Sequence, residues 1–239
     1  MDDLLLLGND YDFISSFKTA LSNTFTIKDL GPVSYVLGLT ITRDRSKRTI
    51  TLSQSSYVRS LVAKFRLDPD SRSSARTVPL SKSDWLTAVD ADHSLAAPLP
   101  PHLPYRSLLG GILYANVCSR PDVSFAVSAL ASHNSDPKQM HWNALINLLK
   151  FMRDTQNLSI TYGSSISHDD INELRVYADA DFSRHPERRR SRSGHVIYFN
   201  GGAICWKSSH RNAYLLLLQN LNCSRSTMLL RWLHGSDTY

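Results

Sequence analysis

The chain has 239 residues, 42% of them hydrophobic, which is enough for one or two domains with a substantial core and excludes a disordered tail. Lys and Arg number 27 against 21 Asp and Glu, and the net charge of +6 favours anionic partners such as nucleic acid. The three cysteines, at positions 118, 205 and 223, are too few and too widely spaced for a disulfide scaffold or a zinc site. We expect neither a signal peptide nor a membrane helix, because Met1 is followed by two aspartates and the apolar stretch 107–117 is about half a bilayer span.

The first part of the chain predicts a mixture of helix and strand. Apolar side chains recur at helical spacing, β-branched residues then surround a charged turn, and a second helical stretch follows. The predicted elements are a helix over 10–25 capped by Asp10 or Asp12, a hairpin of strands 33–42 and 49–52 around the turn 43–48, and a helix from its cap Ser53 to about Phe65. Six of the ten prolines fall between residues 69 and 104, and we interpret roughly 68–104 as a linker because proline removes backbone donors.

The remainder predicts helices followed by strands. The predicted helices cover 105–118, 121–132 and 138–153, the second opening with Pro121. One face of the last helix is apolar and comprises Trp142, Leu145, Ile146, Leu149 and Met152. The predicted strands are 158–162, 173–182, 195–200 and 203–208, the last two joined as a hairpin at Gly201 and Gly202. We group these four strands as one β-rich C-terminal unit.

Two pairs of carboxylates are candidate metal ligands. Asp2 and Asp3 precede an apolar run, and paired carboxylates at a strand tip suit a two-metal phosphoryl-transfer site. On spacing alone, an acidic and frayed chain terminus is the simpler interpretation. Asp179 and Asp181 are two residues apart on a predicted strand, so they project from one face and could share a metal, but a solvated strand end is again the simpler interpretation.

A basic segment follows the same strand. Five arginines occur in the nine residues 184–192, and the cluster formed by Arg188, Arg189, Arg190 and Arg192 could contact phosphates, although a solvated loop is equally consistent. Trp206 and Lys207 in the next hairpin could stack on a base and pair with a phosphate, whereas a half-buried tryptophan is more often part of a core. The HExxH, GxSxG, GxxxxGK[ST] and GxGxxG signatures do not occur, which argues against metalloproteases, serine hydrolases, nucleotide kinases and dehydrogenases.

Short blocks over residues 1–208 follow one another in a specific order. They are MDDLLLLG at 1–8, KDLGP with YVLG at 28–38, TLSQSSY at 51–57, TVPL at 77–80, YRSLLG, LY and SRPD within 105–122, YADADF with RRSRSG within 177–194, and ICWKS at 204–208. The series resembles the Pol polyprotein of copia-type retrotransposons, from the middle of the reverse transcriptase into the RNase H domain. It is also similar to orphan reading frames of this origin in plant mitochondrial genomes.

The resemblance implies an α+β fold with parts of two enzymes. The implied units are an incomplete polymerase palm and thumb over 1–80, a proline-rich linker over 81–104, a helical connection over 105–157, and a truncated RNase H-like mixed sheet over 158–239 that diverges after about 212. The implied ancestral activities are RNA-directed DNA polymerase and RNA–DNA hybrid ribonuclease, both by Mg²⁺-dependent phosphoryl transfer. Asp2, Asp3 and Asp179 match the family's metal ligands, and an RNA–DNA hybrid or another nucleic acid is the implied partner.

Departures from the family pattern predict that this chain is inactive. The sequence begins at Met1, so we expect the preceding strand and an upstream aspartate to be missing, although catalytic ligands must be fixed within fractions of an ångström. Residues 224–227 match the start of the helix that donates the catalytic glutamate, but 228–230 are Met-Leu-Leu. We therefore expect vestigial metal ligands without functional Mg²⁺, and a frame shift or a decayed copy would explain the divergence after about Asn212.

The sequence supports three functional hypotheses. The first is the inactive reverse transcriptase and RNase H fragment, and the second is a non-catalytic nucleic-acid-binding protein that uses the basic loop 184–192. The third is an active nuclease that recruits Asp181, Glu187 or Asp237 as substitute ligands. The compartment and oligomeric state stay open: we expect an intracellular protein, located in mitochondria if the chain is organelle-encoded.

Overall fold

The computed structural model describes residues 4–66, 76–81, 96–163, 173–181 and 192–210. Its helices are α1 (Tyr11–Thr24), α2 (Ser55–Lys64), α3 (Tyr105–Ser119), α4 (Ser124–Ala131) and α5 (Gln139–Asp154), with a 3-10 turn at Pro121–Val123 leading into α4. Its strands are β1 (Tyr35–Val36), β2 (Leu39–Asp44), β3 (Thr49–Ser53), β4 (Ser159–Gly163), β5 (Leu174–Asp181), β6 (Arg192–Phe199) and β7 (Gly202–His210). Within these ranges no helix is both long enough and apolar enough to cross a membrane.

Helix α1 begins where the sequence predicts its cap. The Asp10 carboxylate accepts hydrogen bonds from Asp12 N and Phe13 N, both at 3.0 Å, which satisfies two free amides of the first turn. Every residue of α1 remains at least partly exposed, including Phe13 at 66% and Phe17 at 41%. The predicted helix is thus confirmed, but its apolar face lies at the surface of the described residues.

The predicted hairpin is present, but its first strand is broken in two. Leu37 and Gly38 have positive φ angles of 49° and 72°, so the chain turns back between β1 and β2 instead of running straight through 33–42. β2 and β3 then pair antiparallel around the charged turn, where the Asp44 carboxylate accepts a hydrogen bond from Ser46 N at 3.0 Å. A tight turn inside an apolar segment leaves little trace in the hydrophobic pattern, since glycine was its only marker.

Strand β4 joins this sheet from a distant part of the chain. It pairs antiparallel with β3, from Thr49 opposite Gly163 to Ser53 opposite Ser159, and the described strands follow the order β1-β2-β3-β4. The structure therefore corrects the grouping of residues 158–162 with the later strands. The sequence of a short strand does not determine which strand it pairs with, because its register and its partner depend on long-range packing.

The core lies between α2, α3, α4 and α5. Its buried side chains include Val58 and Leu61 of α2, Leu108 and Ile112 of α3, Val127 and Leu130 of α4, and Leu145, Leu148, Leu149 and Met152 of α5. The three helices predicted over 105–153 are confirmed, with the second opening as the 3-10 turn. Helix α2 differs at its start, because Gln54 and not Ser53 occupies the N-cap position.

Parts of the predicted linker contact this core. Leu80 and Leu99 pack against the buried cluster, and Pro98 forms an isolated antiparallel bridge with Lys138. The backbone N–H of Arg76 donates to an Asp154 carboxylate oxygen at 3.1 Å. The described portions of 76–104 are thus attached to the helices along their course.

The strands β5, β6 and β7 form an antiparallel sheet in that order. The turn between β6 and β7 lies at Asn200 and Gly201, whose φ angles are 48° and 81°, one residue earlier than predicted. Gly202 lies in β7, where a Cβ atom would sit 2.4 Å from the Tyr162 ring, and the Tyr162 hydroxyl donates to Ala203 O at 2.7 Å. Close packing of the two sheets therefore explains this glycine.

Helices and antiparallel sheets together confirm the α+β class. Every pairing among the described named strands is antiparallel, so these residues do not contain the mixed sheet that the family resemblance implies.

Candidate functional site

The predicted site residues that the structure describes lie on the β5-β6-β7 sheet. Asp179 lies on β5, Arg192 begins β6, and Trp206 and Lys207 are neighbours on β7. The other predicted site residues fall outside the described residues, namely Asp2, Asp3, Arg188, Arg189 and Arg190.

The register of the sheet determines what Asp179 faces. Asp179 is opposite Gly194 on β6, and Gly194 is opposite Ser208 on β7. Residues directly opposite one another project from the same face. The residue next to the exposed Asp179 on this face is therefore Gly194, which has no side chain, and the residue after it is Ser208, which carries a hydroxyl. The neighbouring strands therefore do not place a second carboxylate opposite Asp179.

A magnesium centre needs more ligands than this. Mg²⁺ prefers a near-octahedral set of oxygen ligands, and two-metal sites hold both ions about 4 Å apart with several carboxylates. Across the described ranges, no three His, Cys, Asp or Glu side chains lie together in a way that could hold a metal ion. The described surroundings of Asp179 do not fit a two-magnesium centre.

Trp206 and Lys207 point to opposite faces of β7. Neighbouring strand residues alternate in direction, and the register confirms this, with Trp206 opposite Val196 and Lys207 opposite His195. Trp206 is half-buried, and its Nε1 donates a hydrogen bond to Asn116 O of α3 at 2.9 Å. The tryptophan thus ties β7 to the helices, and the structure does not bring it together with Lys207.

Lys207 lies beside a histidine that the sequence did not single out. Burial, together with the positive charge of Lys207, lowers the pKa of His195 below its usual 6.5. The Cys205 sulfur lies 4.0 Å from His195 Nε2 on the same face. This face therefore presents an exposed ammonium group next to an imidazole that stays neutral at pH 7.

The SRPD block proves to be an internal brace. Arg120 is only 2% exposed, and its guanidinium binds the Asp122 carboxylate through two hydrogen bonds, Nε to Oδ1 at 2.8 Å and Nη2 to Oδ2 at 2.7 Å. Nη2 also donates to Thr155 Oγ1 at 2.7 Å, and the guanidinium lies 5.7 Å from the centre of the Phe151 ring. This arrangement locks the end of α3 to the end of α5, and the Arg-Pro-Asp spacing between two apolar helices was its signal in the sequence.

The LSQ block has a similar interior role. Gln54 and Ser119 are each 2% exposed, and the Ser119 hydroxyl donates to Gln54 Oε1 at 2.7 Å. Gln54 Nε2 and Asn116 Oδ1 are also buried, and neither has a hydrogen-bond partner among the described residues. A buried glutamine side chain thus connects the start of α2 to α3.

Two tyrosines connect α3 to its neighbours, Tyr57 from α2 and Tyr114 to the turn between β1 and β2. The Tyr57 hydroxyl donates to Gly111 O at 3.0 Å, and the Tyr114 hydroxyl donates to Leu37 O. Their ring centres are 5.1 Å apart, and burial raises the pKa of both phenols. Several motif residues therefore hold elements together, which explains their spacing without assigning them a contact to substrate.

The N-terminal third matches a known protein family. Residues 1–81 match the family described as reverse transcriptase (RNA-dependent DNA polymerase).

Curated transposon proteins are similar over most of the chain. This chain is 35% identical over 211 residues to the retrovirus-related Pol polyprotein from transposon TNT 1-94 of Nicotiana tabacum, and the match covers 87% of this chain and 15% of that protein. It is 30% identical over 210 residues to the retrovirus-related Pol polyprotein from transposon RE2 of Arabidopsis thaliana, covering 87% and 13%. An uncharacterized mitochondrial protein of Arabidopsis thaliana is 26% identical over 211 residues, covering 88% of this chain and 81% of that protein.

The chain spans only a small part of the two Pol polyproteins but most of the mitochondrial relative, which confirms the resemblance to plant mitochondrial reading frames. No solved structure matches the chain significantly. The order of the blocks, the family match over 1–81 and the similarity across nearly nine-tenths of the sequence agree. The chain belongs to the retrovirus-related Pol polyproteins of copia-type retrotransposons, and its N-terminal third is a segment of the reverse transcriptase family.

Proposed function

We propose that this chain is a non-catalytic part of the nucleic-acid-handling region of a retrotransposon Pol polyprotein. The observation that carries the proposal is the Met-Leu-Leu sequence at 228–230, since the family pattern requires carboxylates there. Two-metal phosphoryl transfer needs several carboxylates held in fixed positions. The sheet register that sets Asp179 opposite Gly194 and in line with Ser208 supplies no substitute carboxylate from β6 or β7.

A hybrid-cleavage assay tests the absence of catalysis. A labelled RNA–DNA hybrid is incubated with the full chain and Mg²⁺ or Mn²⁺, beside the Asp179→Asn variant and an active RNase H as a positive control. We expect equal, background-level cleavage by the chain and by Asp179→Asn. Metal-dependent cleavage that Asp179→Asn abolishes would show instead that substitute ligands complete the site, as in the third sequence hypothesis. Primer extension, with Asp2→Asn and Asp3→Asn as controls, tests the polymerase in the same way.

Nucleic-acid binding through the basic segment is the second candidate function. Asp181 is opposite Arg192 at the ends of β5 and β6, so the intervening segment leaves and re-enters the sheet at the same end. That segment includes Arg188, Arg189 and Arg190, in a chain whose net charge is already +6. Arginines that are close together in a chain can contact successive phosphates without reading base sequence.

Salt dependence separates this binding mode from other contacts. Fluorescence anisotropy of a labelled hybrid duplex is measured over a range of KCl concentrations for the full chain and for a triple variant with Arg188, Arg189 and Arg190 replaced by Gln. For B-DNA, each phosphate contact makes the plot of log affinity against log salt concentration steeper by about 0.9. The slope for the triple variant should therefore be shallower by about 2 to 3 than that for the unchanged chain.

The β2–β3 hairpin offers a matched control. Arg43, Arg45 and Arg48 are exposed, and replacing them by Gln removes the same charge from a different sheet. We expect this control to keep most of the salt slope. An equal loss in both triple variants, or binding that does not respond to salt, would contradict a role for the basic segment.

A further inference from the structure

We draw no further inference here: the strongest candidate, the exposed apolar surface patch that α1 forms with the segment before it around Leu7, Phe13 and Phe17, carries nothing because no described part of the structure shows what covers it.

Discussion

Replacing Asp122 by Asn is expected to destabilise the protein strongly, because it leaves Arg120 buried without an anion. The guanidinium is 2% exposed and its two shortest carboxylate contacts are 2.8 and 2.7 Å. The Thr155 hydroxyl and the Phe151 ring remain as neighbours, but neither carries a negative charge. The variant therefore retains the desolvation cost of the cation and loses the charge that offsets it.

The expected loss follows from the exposure of the two partners. Removing one member of a fully buried ion pair costs about 3–5 kcal/mol. The Asp122 side chain is 31% exposed, so solvent screens part of the attraction. We therefore expect Asp122→Asn to lower the free energy of unfolding by about 2–3 kcal/mol. Arg120→Met with Asp122→Asn should cost less than the two single changes together, because it removes the stranded charge as well.

Urea denaturation followed by far-ultraviolet circular dichroism measures all three variants. The slope of unfolding free energy against urea should stay constant, so that midpoint shifts report stability alone. A loss below about 1 kcal/mol for Asp122→Asn, or a double variant equal to the sum of the single ones, would refute the internal-brace interpretation.

Three further substitutions test the packing of α3 and the dependence of stability on pH. Gly110→Ala should raise the free energy of unfolding by about 0.5–1 kcal/mol, because a Cβ there meets nothing within 4 Å and alanine favours the helix. Gly111→Ala, its neighbour in α3, should be less stable than Gly110→Ala by about 1–3 kcal/mol, because its Cβ would lie 2.5 Å from Leu61 Cδ1; a reversed order in urea midpoints would contradict the packing. Burial and Lys207 lower the pKa of His195 below 6.5, so the unfolded chain binds the proton more readily and stability should fall as the pH drops through 6.5. His195→Gln should flatten that dependence between pH 8 and 5, and an unchanged slope in the variant would assign the effect to another group.

The helices were predictable because their signals are local. Residues 105–153 carry long apolar periodicity with Pro121 at a helix start, and α3, α4 and α5 occur where this pattern places them. The partner of β4 was not predictable in this way, since its five residues carry no information about a strand a hundred positions earlier. Local periodicity thus specifies elements, whereas their pairing depends on the rest of the fold.

One feature of the candidate site could be predicted from the sequence, and another could not. Trp206 and Lys207 are adjacent on a strand, and the alternation of strand residues already assigns them to opposite faces. The cross-strand neighbours of Asp179, in contrast, depend on the pairing of β5, β6 and β7, and Gly194 and Ser208 become those neighbours only through the register. The family resemblance identified the aspartate but could not supply its surroundings.

The pairing of β3 with β4 has a consequence for the order of events during translation. Residues 49–53 leave the ribosome about a hundred positions before their partners at 159–163. At about 5–20 residues per second, β3 waits roughly 5–20 seconds with one side of its backbone unpaired. The N-terminal third of the nascent chain thus spends this interval with an incomplete sheet, and the unpaired edge of β3 is a site where aggregation can begin before β4 is synthesised.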